Sequence, residues 1–230
     1  MKRVLLCSLF FVMGCSSKIS NPRLYVAVPQ EWSVCHHDFL EESPYYFNWW
    51  KAMKDLILDE IIDSLSTKNL DLLIKAEEIY ARCGVKALQK QEYRLLWNKT
   101  AFDAAKTYIE LRYLQEKVSI IEMRMESWQD TSHLVNDLWD TGFANSVEKI
   151  QQTEELNILK TEISKNALGM QKAINHLSQI LGGDDLYCLL MDQKPIPVLP
   201  QCLPIGFPFE SVFQRPDVLQ TEILVKRGVQ

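Results

Sequence analysis

The chain has 230 residues, a net charge of −5 and only eight glycines. Lysine and arginine do not cluster on one helical face, so the sequence gives no support for nucleic-acid binding. It contains no G-x-x-x-x-G-K or G-x-G-x-x-G pattern for holding phosphates, no Ser/His/Asp set and no paired carboxylates in a pocket-forming context. These features predict a protein that is not an enzyme and carries no cofactor.

Residues 1–14 are typical of a signal peptide. Lys2-Arg3 gives a positive start, and an apolar run of about ten residues follows, too short to span a bilayer as a helix. The small residues before Cys15 resemble the bacterial lipobox, in which the cysteine becomes the new N-terminus and is acylated. The alternative is an ordinary signal peptide with an incidental cysteine. We expect lipidation at Cys15. The residue that follows it is Ser16 and not Asp, which resembles the sorting rule for outer-membrane lipoproteins, so we expect the anchor to lie in the outer membrane and to face the periplasm.

Residues 15–48 are predicted to be an extended leader after the lipidated cysteine, because prolines punctuate a polar stretch. The run Cys35-His36-His37-Asp38 is the only place where metal-ligating side chains crowd together. Adjacent residues of an extended chain point in opposite directions, and no second ligand group stands at a useful spacing. We therefore interpret this run as a solvated loop and predict no metal site.

Four cysteines remain beyond the signal peptide and the lipidation site: Cys35, Cys83, Cys188 and Cys202. In an oxidising periplasm they could form disulfides. Their spacing allows three connectivities and does not choose among them.

Residues 49–185 are predicted to be helical and to form the main domain. Two short helices come first, one with Ile61 and Leu65 on its apolar face and one beginning at Asn69. After a break, the heptad pattern resumes at Trp97, where we expect the long descending helix to begin.

Two long helices are then predicted to pack as an antiparallel coiled-coil hairpin, which makes the fold class all-α. Apolar residues in alternating steps of three and four place one stripe on one face of each helix. The descending stripe is Leu111, Leu114, Val118, Ile121, Met125, Trp128, Val135 and Trp139, with Ser132 as its one polar member. The returning stripe is Leu156, Leu159, Ile163, Ala167, Met170, Ile174, Leu177 and Leu181.

The tip of this hairpin is predicted at residues 141–145. Gly142 stands where the descending helix must end, and glycine adopts the left-handed conformation at no steric cost. Asn145 and Glu148 have the spacing of a capping box for the returning helix.

The tail changes character at residue 186. Prolines between 186 and 214 forbid regular helix and predict an extended, semi-rigid strap. Residues 215–230 are predicted to start a further helix, because Pro216 suits a first helical turn and Asp217 suits its positive end.

Taken in order, these features resemble the outer-membrane factors of bacterial tripartite efflux pumps, the TolC-like family, and especially its lipoprotein branch. The segment from residue 203 into residue 218 is the most specific match. The matching residues are Cys15, Pro29 and Trp32, Trp49-Trp50 with Asp55, Leu58 and Ile61, Asn69-Leu70-Asp71-Leu72, Trp139-Asp140-Thr141-Gly142-Phe143 with Glu148, Leu177, Leu181-Gly182, Leu203-Pro204-Ile205-Gly206-Phe207-Pro208 and Arg215-Pro216-Asp217-Val218.

The resemblance implies a periplasmic helical component of an efflux system. Such proteins self-associate as trimers, and their hairpin tips meet a periplasmic adaptor that links them to an inner-membrane pump. Thr141, Gly142 and Phe143 occupy the family's adaptor-contacting tip. Family members also carry membrane strands and repeat the whole unit, so this chain resembles about the first repeat without the barrel strands. The alternatives are a lipid-anchored periplasmic coiled-coil binding protein and a degenerate remnant without transport activity.

Overall fold

A computed structural model describes residues 48–81, 86–183, 187–199, 212–226 and 228. Within these ranges every regular element is a helix, so the all-α prediction is confirmed. The elements are a short 3-10 helix (Trp49–Met53), α1 (Leu56–Lys68), α2 (Leu70–Ala81), α3 (Lys86–Asp140), α4 (Ser146–Leu181), α5 (Tyr187–Met191) and α6 (Pro216–Lys226). Cys15 and nearly all of the predicted leader lie outside the described residues.

The long helices α3 and α4 pack against each other as the predicted antiparallel hairpin. With 55 residues, α3 is a rod roughly 80 Å long. It begins at Lys86 and not at Trp97 as predicted. The additional turns are rich in strong helix formers such as alanine, leucine, lysine and glutamine, while buried Gln89 interrupts the apolar pattern that would have marked them.

Most of the predicted stripe residues are buried or half-buried between α3 and α4. The exception within α4 is Ala167, which is exposed, while the neighbouring Asn166 is buried. The side-chain amide of Asn166 donates a hydrogen bond to the Glu162 backbone carbonyl at 2.8 Å, so this polar group is satisfied inside the contact between α3 and α4. The buried face of α4 runs from Ile163 through Asn166 to Met170 in steps of three and four residues. The geometry of the helix therefore places Asn166 in the contact, although Ala167 is the more apolar residue.

The main core lies at the base of the hairpin, at the opposite end from the tip. Here α1 and α2 pack against the first half of α3, and α1 also contacts α4. The buried cluster includes Trp50, whose ring lies 5.5 Å from that of Trp97, and Leu58 and Leu177, which are fully buried. The base therefore supplies a globular core that a two-helix rod lacks.

The described part of the predicted strap is not wholly extended. Its first residues form the short helix α5, because the prolines begin only at Pro195 and leave Tyr187–Met191 free to make a helical turn. Residues 193–199 are without regular structure. Further on, α6 begins at Pro216 and packs against α3.

None of the helices in the described ranges has an apolar stretch long enough to cross a membrane.

Candidate functional site

The hairpin tip is closed by a Schellman motif at the end of α3. The Phe143 amide donates to the Leu138 carbonyl at 2.8 Å, and the Gly142 amide donates to the Trp139 carbonyl at 2.9 Å. Gly142 has φ +81°, the left-handed conformation that this motif requires. The prediction that Gly142 ends the descending helix is confirmed.

The three predicted tip residues have different surroundings. The Thr141 hydroxyl is turned back onto the helix, where it donates to the carbonyls of Asp137 and Leu138 at 3.0 Å each. Gly142 has no side chain, so it can present only backbone groups to a partner. Phe143 is 84% exposed and presents its aromatic ring to solvent.

The returning helix starts with the predicted capping box. The Glu148 amide donates to the Asn145 side chain at 2.9 Å, and the Asn145 amide donates to the Glu148 carboxylate at 3.1 Å. Two backbone donors at the start of α4 are thereby satisfied. With a cap on each side, the five-residue turn holds Phe143 in a defined position.

Trp139 and Lys149 flank the tip in a way that the sequence reasoning missed. Trp139 was assigned to the buried stripe, yet it remains 39% exposed because the hairpin ends there and offers no further partner. The Lys149 ammonium lies 5.6 Å from the centre of the Trp139 ring, within cation–π range. Below them, Arg124 of α3 pairs with Glu155 of α4 at 2.6 Å.

At the base, Asp55 joins two elements. One carboxylate oxygen accepts hydrogen bonds from the Ile57 and Leu58 amides at 2.9 and 3.0 Å and so caps α1. The other oxygen accepts a hydrogen bond from the Tyr108 hydroxyl of α3 at 2.8 Å. Burial raises the pKa of Tyr108 from 10.0 to about 12, so the phenol remains a hydrogen-bond donor at pH values where an exposed tyrosine would ionise.

Asn69 and Gly182 make a second joint at the base. The Asn69 side chain caps α2 by accepting from the Leu72 amide at 3.0 Å and donates to the Ile180 carbonyl of α4 at 2.7 Å. Gly182 ends α4 with φ +68°, and a Cβ there would lie 2.7 Å from the Lys68 carbonyl oxygen. These motif residues therefore position the rod and do not form a binding cleft.

The remaining predicted sites lie mostly outside the described residues. Cys15, Cys35, Cys83 and Cys202 all fall there, so lipidation and disulfide pairing stay predictions. Cys188 lies on α5 with an exposed thiol.

Comparison with known proteins shows what fold these elements make. No family model matches the chain, and no curated protein matches it. Among solved structures, the chain is similar to the outer-membrane channel OprN, with a TM-score of 0.71 and 16% sequence identity, over 85% of this chain and 59% of that one. It is also similar to a membrane protein from Pseudomonas aeruginosa, with a TM-score of 0.67 and 15% identity, over 85% of this chain and 61% of that one.

The fold of this chain is therefore similar to the folds of these two proteins over 85% of its length. The chain spans about three fifths of the length of these two structures. Neither of the two is described as an enzyme.

Proposed function

We propose that this chain is a periplasmic helical component of a tripartite efflux system, anchored in the outer membrane by a lipid on Cys15. The observation that carries the proposal is the capped hairpin tip with Phe143 exposed, on a fold similar to an outer-membrane channel. A rigid rod whose capped tip exposes the Phe143 ring is suited to contact with a partner at a fixed distance from the membrane.

Contact with the adaptor is assigned to Thr141, Gly142 and Phe143. The Phe143 ring supplies apolar area, and aromatic residues are enriched among those that dominate binding energy at interfaces. Thr141 and Gly142 contribute by holding the turn that presents this ring. The neighbouring Trp139 and Lys149 widen the surface that a partner would meet.

Self-association is supported by a second line of apolar residues on α3. Phe102, Tyr113, Ile120, Met123 and Leu134 are all more than half exposed, although the same helix already buries one face against α4. Their separations of 11, 7, 3 and 11 residues follow the coiled-coil period. A long apolar line left open in one copy suits contact with another copy, and the resembled family forms trimers.

The proposal is tested by placing a photo-crosslinking residue at Phe143 in cells. We expect an adduct with a periplasmic adaptor protein that itself binds an inner-membrane pump. The matched control is the same residue at Ile120, which is exposed but lies some twenty residues above the tip and should give adducts with further copies of this chain.

A transport measurement completes the test. Cells that lack the chain should accumulate an exported dye, and the wild-type gene should restore export. Adducts at both positions with copies of the chain alone, together with unchanged dye accumulation, would favour a lipid-anchored coiled-coil binding protein or a remnant without transport activity.

A further inference from the structure

The short helix α5 is held in place by a small apolar contact. Five residues are too few for a helix to be stable by itself in water, because helix nucleation is unfavourable. Leu190 is its buried residue, 1% exposed, and joins the core at the base. Tyr187, Cys188, Leu189 and Met191 are exposed. Leu190 is therefore the one side chain of α5 that attaches this helix by apolar burial.

Polar contacts from α3 supply the rest of the attachment. The Arg112 guanidinium donates to the Asp192 carbonyl at 2.5 Å and to the Leu189 carbonyl at 3.4 Å. The Gln115 amide donates to the Leu190 carbonyl at 2.8 Å. A cation beside the last carbonyls of a helix is also favoured by the helix dipole.

Arg112 depends on α5 in return. Its side chain is fully buried, with 0% exposed, and it stacks 4.9 Å from the centre of the Tyr108 ring. Among the residues that the structure describes, no carboxylate lies within ion-pair distance of it, and its other bond is to the Gln115 side chain at 2.7 Å. The α5 carbonyls therefore solvate a charge that burial would otherwise penalise.

The described residues that follow α5 make few contacts with the rest of the chain. After α5, the Gln193 side chain donates to the Gln115 carbonyl at 3.1 Å, and Ile196 lies beside Tyr113 and Ile120 in an open cavity. Val198 and Leu199 are exposed. Residues 194–199 are mostly exposed, so little buried surface holds them against α3.

We propose that α5 and residues 193–199 form a detachable strap, latched onto α3 by Arg112 and Gln115. The strap leaves and returns while the α3–α4 hairpin stays folded. Undocking removes Ile196 from beside Tyr113 and Ile120 and lets water reach Arg112. The contacts that hold the strap all lie within the chain, so its docking is independent of the proposed function.

Hydrogen exchange followed by mass spectrometry tests the latch. The backbone amides of Met191 and Asp192 donate hydrogen bonds within the α5 turn. Exchange of these amides in the peptide covering 187–193 therefore reports on whether α5 is docked. In Arg112→Met, exchange in this peptide should be about tenfold faster or more, because a hydrogen-bonded charge is lost. Exchange in the peptide covering 170–181 of α4 should be unchanged.

Arg124→Met is the matched control, because it removes an arginine of the same helix whose contact is an exposed ion pair with Glu155. It should leave exchange in 187–193 unchanged. Gln115→Met, nearly equal in volume and uncharged, should also accelerate exchange there, and it serves if the Arg112 variant does not fold. The proposal is overturned if neither variant accelerates exchange in 187–193, or if exchange in α4 rises in parallel.

Discussion

Replacing Ile121 by aspartate tests whether the α3–α4 contact is the stabilising seam of the rod. Ile121 is 6% exposed and faces α4 from the middle of the hairpin. Removing a buried isoleucine side chain costs roughly 2–5 kcal/mol, and burying a carboxylate without a partner adds to this cost. Lys117, half-buried and lining the same cavity as Ile121, offsets part of that charge. We expect a loss of about 3–5 kcal/mol in the free energy of unfolding.

The neighbouring Ile120 provides a matched control because it is 54% exposed and its side chain leaves α3 about 100° away from that of Ile121. Ile120→Asp should change the free energy of unfolding by no more than about 0.5 kcal/mol. Both variants are measured by urea unfolding followed by far-ultraviolet circular dichroism, at a concentration where sedimentation shows monomers. At higher concentration, Ile120→Asp should weaken self-association while its monomer stays stable.

Equal destabilisation by the two aspartates would refute this reasoning. It would mean that the two faces of α3 are buried to the same extent, and that the seam is not the contact that holds the hairpin. A larger effect at Ile120 would place α4 against the side of α3 that carries Ile120.

Three further predictions follow from the base, the glycines and the anchor. The free energy of unfolding should fall between pH 10 and about 12 more steeply in the wild type than in Tyr108→Phe. The reason is that the Tyr108 phenol ionises at its ordinary pKa of 10.0 in the unfolded chain, while in the folded chain it stays neutral until its pKa of about 12. Thermal unfolding should show a cost of about 1 kcal/mol for Gly142→Ala, whose added Cβ meets nothing within 4 Å, and a larger cost for Gly182→Ala, whose Cβ would press on the Lys68 carbonyl. A tagged fatty acid should label the wild type and not Cys15→Ser; equal labelling of both would contradict the lipidation assignment.

The hairpin could be predicted because local rules specify it. Three- and four-residue spacing identifies the packed face, and Gly142 with the Asn145 and Glu148 pair identifies the turn. Each signal involves residues within a few positions of one another. The structure adds the hydrogen bonds that these rules anticipate, so the predicted tip agrees with the observed one.

Other features were missed because they depend on tertiary contacts. Asn166 is buried although Ala167 is the more apolar neighbour, because the register of the whole helix fixes which residue faces α3. Arg112 would be read as a solvated residue from sequence, yet its partner Asp192 lies 80 residues away. Helix α5 was missed because proline content was averaged over the whole segment from 186 to 214.

Among the described residues that carry the family resemblance, those at the base and those at the tip differ in what they contact. At the base, Asp55, Asn69 and Gly182 each have a partner within this chain, so their presence is explained by the need to hold α1, α2 and α4 together. At the tip, Thr141 is occupied by bonds to its own helix, while Phe143 has 84% of its surface in solvent. A large exposed aromatic residue at a rigid, doubly capped turn is not needed for the turn itself, since Gly142 and Asn145 close it. The exposed ring of Phe143 is therefore the feature of the tip that a partner would explain. Phe143→Ser should leave the thermal unfolding temperature unchanged and abolish crosslinking from a probe placed at Val147. Retention of that crosslink would show that the tip contact does not depend on the ring.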